Sequence, residues 1–422
     1  MSRKADVLRK ITEFYLNSHD FNGLPIRNIV QDSKVEEIEL KNVLISLIRE
    51  KKISLNFGDI HPNPHIKAFW EAKEEIQITK LEKSNLEHLC AYPSSLYLKG
   101  VVDPSEYQDR PFTLRLALGE PQLSFLSFDL SVLEFYRNDP RYYYTNNDIC
   151  GMISVGDEYY ESGKMASSDK VLLQTFGFSY DSEFNRAVAV FLRYLSDLSP
   201  QHQQIWNAKI LKDGYELHPD YSSIYMGHGP EGVSIFDAFS EELHHINEMC
   251  RLMNRPPLFK NELKDDKKPR DFGFLIRPTL KQYNDFIHLL DKAISENINR
   301  KFFLNDVPFE YDEVRDDGKV VVRHKGTIQI LDEWLKMKFR VKDRKPIQKM
   351  IATFEEIRKL RQHPAHVIDE DIFDQRYFRQ QRKIVMKAYE AIKLLRLIFA
   401  NHPNTKGYEI PDWLQSGKIW TY

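Results

Sequence analysis

Residues 345–368 of the 422-residue chain read KPIQKMIATFEEIRKLRQHPAHVI. Apolar residues recur there at intervals of three and four, the spacing of one face of an α-helix: Ile347, Met350, Ile351, Phe354 and Ile357. Arg358 and Arg361 project onto the same face, and Pro364 stops the helix because it lacks an N–H group. The pattern predicts a helix over about 346–363 whose two arginines lie in or beside a groove and meet an anionic group there.

Around this helix, similar apolar stripes predict three more helices, and a short charged segment predicts a hairpin-like insertion at 308–323. The predicted helices cover 279–298, 326–339 and 374–400. Four helices with short connections form a bundle, so residues 271–422 are expected to be an all-α domain. The preceding segment KNELKDDKKPRD, residues 260–271, is charged and nearly free of apolar residues, which is typical of a linker.

The upstream part of the chain predicts two further domains, which makes the fold class multidomain α+β. Residues 1–70 contain three short helical patterns followed by the strand-like ISLNF, an order similar to a winged helix-turn-helix module. Residues 71–270 read as a mixed α/β domain, which is expected to sense a protein or nucleic-acid trigger or to bind a partner. Its strand-like runs are SSLYLKGVV, FTLRLAL and QLSFLSFDL, its tyrosine-rich RYYYTNND reads as a loop, and its helices are expected at 182–198 and 234–253.

Composition favours a folded cytoplasmic protein without a membrane span. Hydrophobic residues are 42% and charged residues 29% of the chain, and no apolar run approaches the roughly 20 residues that a spanning helix needs. Cys90, Cys150 and Cys250 are far apart and odd in number, which argues against a disulfide framework. The net charge of −2 conceals a basic region over 340–400, where 15 Lys and Arg face 8 Asp and Glu. This region suits a polyanion such as RNA.

No metal site or cofactor is expected from the sequence. His244 and His245 adjoin on a predicted helix, but neighbouring residues point about 100° apart and form a poor chelating pair. Cys250 belongs to the apolar stripe of that helix. These three residues are therefore interpreted as core and surface positions.

The hexapeptide RQHPAH, residues 361–366, resembles the R-x4-H motif of the HEPN superfamily. Its position near the end of the third long helix, with another long helix after it, is similar to the HEPN arrangement, and the resemblance extends over about 275–402. It implies a metal-independent endoribonuclease whose active site forms where two copies of the motif meet in a homodimer. RNA cleavage in a toxin or antiviral-defence effector is the role implied.

Carried over residue by residue, the resemblance assigns catalysis to Arg361 and His366, with Gln362 as the intervening polar residue. Arg358 and His363 form a second, overlapping R-x4-H, but in a continuous helix they would point about 140° apart. We therefore assign Arg358, Gln362 and His363 to substrate binding. The acidic residue that often accompanies such sites is left open between Glu355 and Glu356.

Two other classes of function fit the same sequence. The helical domain could retain a basic groove and bind RNA or protein without cleaving it. Alternatively, the N-terminal module could make the protein a nucleic-acid-binding regulator, although the glutamates of its candidate recognition helix, Glu36, Glu37, Glu39 and Glu50, are unfavourable against phosphates. A protein-contact role suits that module better.

Overall fold

The computed structural model describes residues 2–33, 36–58, 63–264, 267–362 and 371–422. The chain is a multidomain mixed α/β protein that divides into two compact units, one ending at Pro230 and the other beginning at Glu231. From the sequence, a domain boundary is expected further along the chain, within 260–271. The reason for this difference lies in the packing of the second unit.

The first unit opens with helices that pack on a small antiparallel sheet whose strand order is β1-β3-β2. Its elements are α1 (Arg3–Asn17), β1 (Leu24–Pro25), α2 (Ile26–Ser33), α3 (Glu37–Arg49), β2 (Ile53–Phe57), α4 (Glu74–Lys83) and β3 (Leu89–Pro93). The three helices and the ISLNF strand predicted for this region are present. β3 is fully buried and pairs with both other strands, so the sheet is completed by residues beyond position 70.

A second sheet in the same unit has the order β4-β8-β7-β6-β5, with β9 paired to β7. Its strands are β4 (Phe125–Phe128), β5 (Tyr142–Asn146), β6 (Cys150–Val155), β7 (Leu172–Tyr180), β8 (Arg186–Phe191) and β9 (Glu216–Leu217). Short helices accompany it: α5 (Ser95–Leu98), α6 (Pro111–Ala117), α7 (Glu134–Arg137), α8 (Asp157–Glu161), α9 (Leu192–Ser196), α10 (Pro200–Asn207) and α11 (Pro219–Tyr225).

Several local predictions in this region were wrong. SSLYLKGVV and FTLRLAL contain helices rather than strands, because Ser94 caps α5 and Pro111 opens α6 at the position where a missing N–H costs nothing. RYYYTNND contains β5, and the first half of the predicted 182–198 helix is β8. β8 lies between two strands and buries all six residues, so its apolar run has no alternation to distinguish it from a buried helix.

The second unit is mainly helical, and the helices predicted downstream of position 271 are all present. Its elements are β10 (Gly232–Ser234), α12 (Ile235–Leu252), α13 (Leu280–Ile294), β11 (Glu310–Val314), β12 (Val320–His324), α14 (Thr327–Lys338), α15 (Lys345–Gln362), α16 (Gln375–Ala400), α17 (Asp412–Ser416) and β13 (Lys418–Trp420). β11 and β12 form the predicted hairpin. α15 packs against α13, α14 and α16.

Helix α12 belongs to this second unit and packs along α16. Between them Glu242, with no solvent exposure, forms an ion pair with the buried guanidinium of Arg396. The charged segment 260–271 is consequently not a linker between α12 and the later helices. Its side chains instead pair with α12, as in the bonds from Glu262 to His244 and from Lys264 to Glu241.

The outermost segments of the second unit pair with each other, β10 lying parallel to β13. Gly232 is required at this contact, because a Cβ there would stand 2.3 Å from the indole nitrogen of Trp420. Among the helices that the structure describes, none combines the length and apolar character needed to cross a membrane.

Candidate functional site

Arg361 lies in the last turn of α15, at the end of a face on which Ile347, Met350, Ile351, Phe354 and Ile357 are all buried. Its side chain is 29% exposed, so the guanidinium sits at the border of the core. The predicted amphipathic face is therefore confirmed, and Arg361, one of the two arginines predicted to meet an anion, does so. That anion comes from the chain itself.

Two carboxylates at the C-terminal end of α13 bind the Arg361 guanidinium. Its Nη1 atom donates to Asp291 Oδ2 at 2.7 Å and also pairs with Glu296 Oε1. Asp291 has no solvent exposure, and its other oxygen accepts from the Ser295 hydroxyl. The Nε and Nη2 groups of Arg361 have no hydrogen-bond partner among the described residues, so part of the guanidinium fork is left for another acceptor.

The charges of this cluster reinforce one another. Hydrogen bonds to Asp291 and then Glu296 raise the pKa of Arg361. The same guanidinium lowers the pKa of Glu296, to which Lys292 and His288 also contribute. Arg361 therefore stays cationic, and a half-buried histidine, His288, stands close enough to affect the charge of Glu296.

Sequence reasoning missed Asp291, His288 and Glu296, although a signal for Asp291 was present. Asp291 follows Ile287 and Leu290 at helical spacing and precedes Ile294, so the apolar stripe of α13 contains a carboxylate in a core position. A buried carboxylate requires a charged partner. Arg361, which interrupts the stripe of α15 in the same way, is that partner.

The remaining predicted site residues are placed as follows. Arg358 is half-buried and has no ion-pair partner within the described part of the chain, while Gln362 is exposed at the end of α15. His363 and His366 lie outside the described residues. Neither proposed acidic residue accompanies Arg361: Glu356 pairs with Lys387 of α16, and Glu355 is exposed.

A basic cleft of about 520 Å³ lies along the 257–267 segment beside α12. Its cationic lining residues are Arg251, Lys260, Lys264 and Lys267. The Lys260 ammonium donates to the backbone oxygen of Glu296 at 2.7 Å. Because Glu296 also binds Arg361, the rim of this cleft and the candidate catalytic arginine contact the same residue.

A second group of chemically capable side chains lies on α12, and one of them, His244, lines the same cleft. Possible ligand atoms of Glu241, His244 and His245 all lie within 4.8 Å of one another. Burial lowers the pKa of His245 to about 4, against the opposing effect of Glu241. The prediction that adjacent histidines cannot converge overlooked Glu241, which is three and four residues before them and lies between them on the helix surface.

The exposed face of α3, the candidate recognition helix of the N-terminal module, is acidic. Glu36, Glu37 and Glu39 are exposed at its start, and Ile38 beside them is 74% exposed. Several cations nearby are already engaged, as in the ion pairs Arg3–Glu39 and Lys4–Glu50. This acidic surface would repel nucleic-acid phosphates.

Comparisons of this chain with protein-family models, with curated proteins and with solved structures found no match. The candidate sites are therefore argued from their own geometry and chemistry.

Proposed function

We propose that the protein is a metal-independent endoribonuclease of the HEPN type, acting as a toxin or antiviral-defence effector. The observation that carries the proposal is the position of Arg361. It lies in the last turn of α15, one residue before the helix ends at Gln362. Two carboxylates orient its Nη1, and the Nε and Nη2 groups have no partner among the described residues. An oriented, permanently charged guanidinium is suited to stabilise a phosphorane.

The proposed chemistry divides between an arginine and a histidine. The His366 imidazole takes the proton of the RNA 2′-hydroxyl, and the 2′-oxygen attacks the adjacent phosphorus. The bond to the 5′-oxygen breaks, the departing oxygen takes up a proton from water, and the products are a 2′,3′-cyclic phosphate and a 5′-hydroxyl. Arg361 stabilises the negative charge that develops on the phosphoryl oxygens. Gln362, Arg358 and His363 contribute to binding the RNA. His366 is assigned from the sequence motif alone.

The basic cleft provides a route for the RNA backbone toward Arg361. Among the described residues that line it, four are cations and one, Glu262, is a carboxylate, and a basic surface attracts phosphates in a salt-dependent way. Lys260 contacts the residue that orients Arg361, so RNA lying in the cleft would approach the proposed catalytic arginine.

Incubation of the purified protein with total RNA in EDTA tests the reaction class. We expect cleavage to persist, because neither proposed catalytic group depends on a metal. Strict dependence on an added divalent ion would contradict the proposal. A control with 2′-deoxy substrate of the same sequence should remain uncut, since it lacks the attacking hydroxyl.

Non-catalytic binding of RNA or protein is the second candidate, and the Arg361–Asp291 contact favours it specifically. A guanidinium paired with a fully buried carboxylate has a structural role whether or not it also has a catalytic one. In that case RNA would shift in electrophoresis without being cleaved. A regulator acting through the N-terminal module would instead shift duplex DNA, and deletion of residues 1–70 would abolish that shift.

A further inference from the structure

Glu241, His244 and His245 lie on one surface of α12 and have the composition of a zinc site. Zn²⁺ is bound in proteins by imidazole nitrogens and carboxylate oxygens, often through three protein ligands with a further position left to water or another ligand. The cluster supplies two imidazoles and one carboxylate. It is separate from the Arg361 site and plays no part in the proposed RNA cleavage.

Two of the three ligand atoms are already at a suitable separation. His245 Nε2 lies 3.2 Å from Glu241 Oε1, and ligand atoms bound tetrahedrally to zinc at 2.0–2.1 Å lie about 3.4 Å apart. The widest separation within the cluster, at most 4.8 Å, requires only a small movement. His244 and Glu241 are both partly exposed and can move by side-chain rotation.

His245 Nε2 is buried, and its 3.2 Å contact with Glu241 Oε1 is not aligned as a hydrogen bond. The whole residue is only 5% exposed, so solvent does not satisfy this nitrogen either. A buried polar atom without a well-aligned hydrogen bond is costly to the folded state. A metal ion bound to the lone pair of Nε2 would satisfy it.

The surrounding residues hold the ligands as metal sites require. His244 Nδ1 lies 2.8 Å from Glu262 Oε2, and His245 Nδ1 lies 2.7 Å from the Tyr408 hydroxyl. Both rings are therefore held at Nδ1, and for His245 this leaves Nε2, the atom beside Glu241, as the candidate ligand atom. Metal-bound histidines characteristically have such an oxygen partner on the other ring nitrogen.

The carboxylates are fixed in the same manner. Glu241 Oε2 binds Lys264 at 2.7 Å, so Oε1 remains directed at His245. Glu262 accepts from Asn247 at 3.0 Å. His244 and Glu262 also line the basic cleft, which gives an ion an entry path. From these contacts we infer that Glu241, His244 and His245 bind one Zn²⁺ ion, with Glu262 and Tyr408 as positioning residues.

Calorimetric titration of the tag-free, chelator-treated full chain with Zn²⁺ tests the inference. We expect one ion per chain and a rise in melting temperature on saturation, since a ligand that binds the folded state stabilises it. Glu262→Gln should weaken binding about 10- to 100-fold, the usual effect of removing such a partner. His245→Ala should abolish both binding and the thermal shift.

His324→Ala, on the exposed hairpin strand β12, is the matched control and should bind zinc like the unaltered protein. If His245→Ala does not fold, Glu241→Gln decides the question, because it keeps the shape of the side chain and removes a ligand charge. Absence of binding to the unaltered chain, or undiminished binding by the folded His245→Ala or Glu241→Gln protein, would overturn the inference.

Discussion

At the scale of single residues, the ion pair with Asp291 gives Arg361 a structural role. The Asp291 carboxylate is fully buried and pairs with Arg361 as its charged partner. Arg361→Ala should therefore lower the free energy of unfolding of the second unit by about 3 kcal/mol, because it leaves a buried charge without its partner. Urea unfolding measures this loss.

The double variant Arg361→Ala/Asp291→Asn removes both charges and should recover much of the lost stability. If Arg361→Ala alone unfolds at the same urea concentration as the unaltered protein, the ion pair is not structurally important. The double variant also separates folding from chemistry, which a single substitution at Arg361 does not.

The second residue-scale prediction concerns the two overlapping R-x4-H patterns. His366→Ala should lower the RNA cleavage rate about 100-fold or more. Arg361→Ala should do the same when it is combined with Asp291→Asn, which restores the stability that Arg361→Ala alone loses. Asp291→Asn alone is the matched control for the second variant. His363→Ala should have a mild effect, and Arg358→Ala should weaken RNA binding more than turnover.

Single-turnover cleavage and an RNA-binding isotherm, measured on the same preparations, distinguish these effects. Loss of activity in His363→Ala with retention in His366→Ala would move the motif back by three residues. If all four variants cleaved RNA as fast as the unaltered protein, the motif would have no part in the mechanism.

At the scale of elements, the Glu242–Arg396 pair fastens α12 to α16. Burial raises the pKa of Glu242, against the opposing effect of Arg396. Arg396→Met should lower the free energy of unfolding by about 3–5 kcal/mol. The double variant Glu242→Leu/Arg396→Met should be near neutral or more stable, since no buried charge remains. Chemical denaturation of the three proteins checks this, and equal losses in the single and double variants would contradict it.

Asp306 gives the second unit an acid-sensitive contact near the end of α14. Burial favours its neutral form, but hydrogen bonds from Lys338, Arg255 and Trp334 outweigh this and lower its pKa to about 2. A carboxylate whose pKa is lowered on folding stabilises the protein above its unfolded pKa, and that contribution is lost as the pH falls from about 4 to 2. Asp306→Asn should cost about 2 kcal/mol at pH 7 and little at pH 2. The free energy of unfolding of both proteins, measured across this pH range, checks the prediction. If the contact were unimportant, the two proteins would show the same dependence of stability on pH.

Elements with a clear helical stripe were predictable from the sequence, and those defined by distant partners were not. The apolar stripes of α13, α15 and α16 identify these segments as helices and indicate which face of each is buried. β8 was missed because its apolar run results from burial between two neighbouring strands, which no local pattern records. The 260–271 segment looked like a linker because its charges suggested solvent, whereas Glu262 and Lys264 pair with α12. The same holds for the candidate site. The position of Arg361 on the apolar face of α15 could be read from the helical spacing, but its pairing with Asp291 depends on how α13 and α15 pack together.

At the scale of the whole molecule, the HEPN resemblance predicts a homodimer through the C-terminal helices. One Arg361 and one His366 per chain make a sparse site, and a second copy would complete it. Light scattering on the full chain under cleaving conditions should give twice the mass of one chain. A monomer that cleaves RNA at full rate would refute this prediction, whatever the outcome of the residue substitutions.

The parallel pairing of β10 with β13 has a consequence for biosynthesis. Its two strands are separated by nearly the entire sequence of the second unit, so a ribosome must complete almost all of that unit before β10 can find its partner. Contacts between such distant segments close slowly, because the intervening chain must lose entropy first. The nascent helices can form during translation, but the pairing of β10 with β13 should come after them, once β13 has been synthesised.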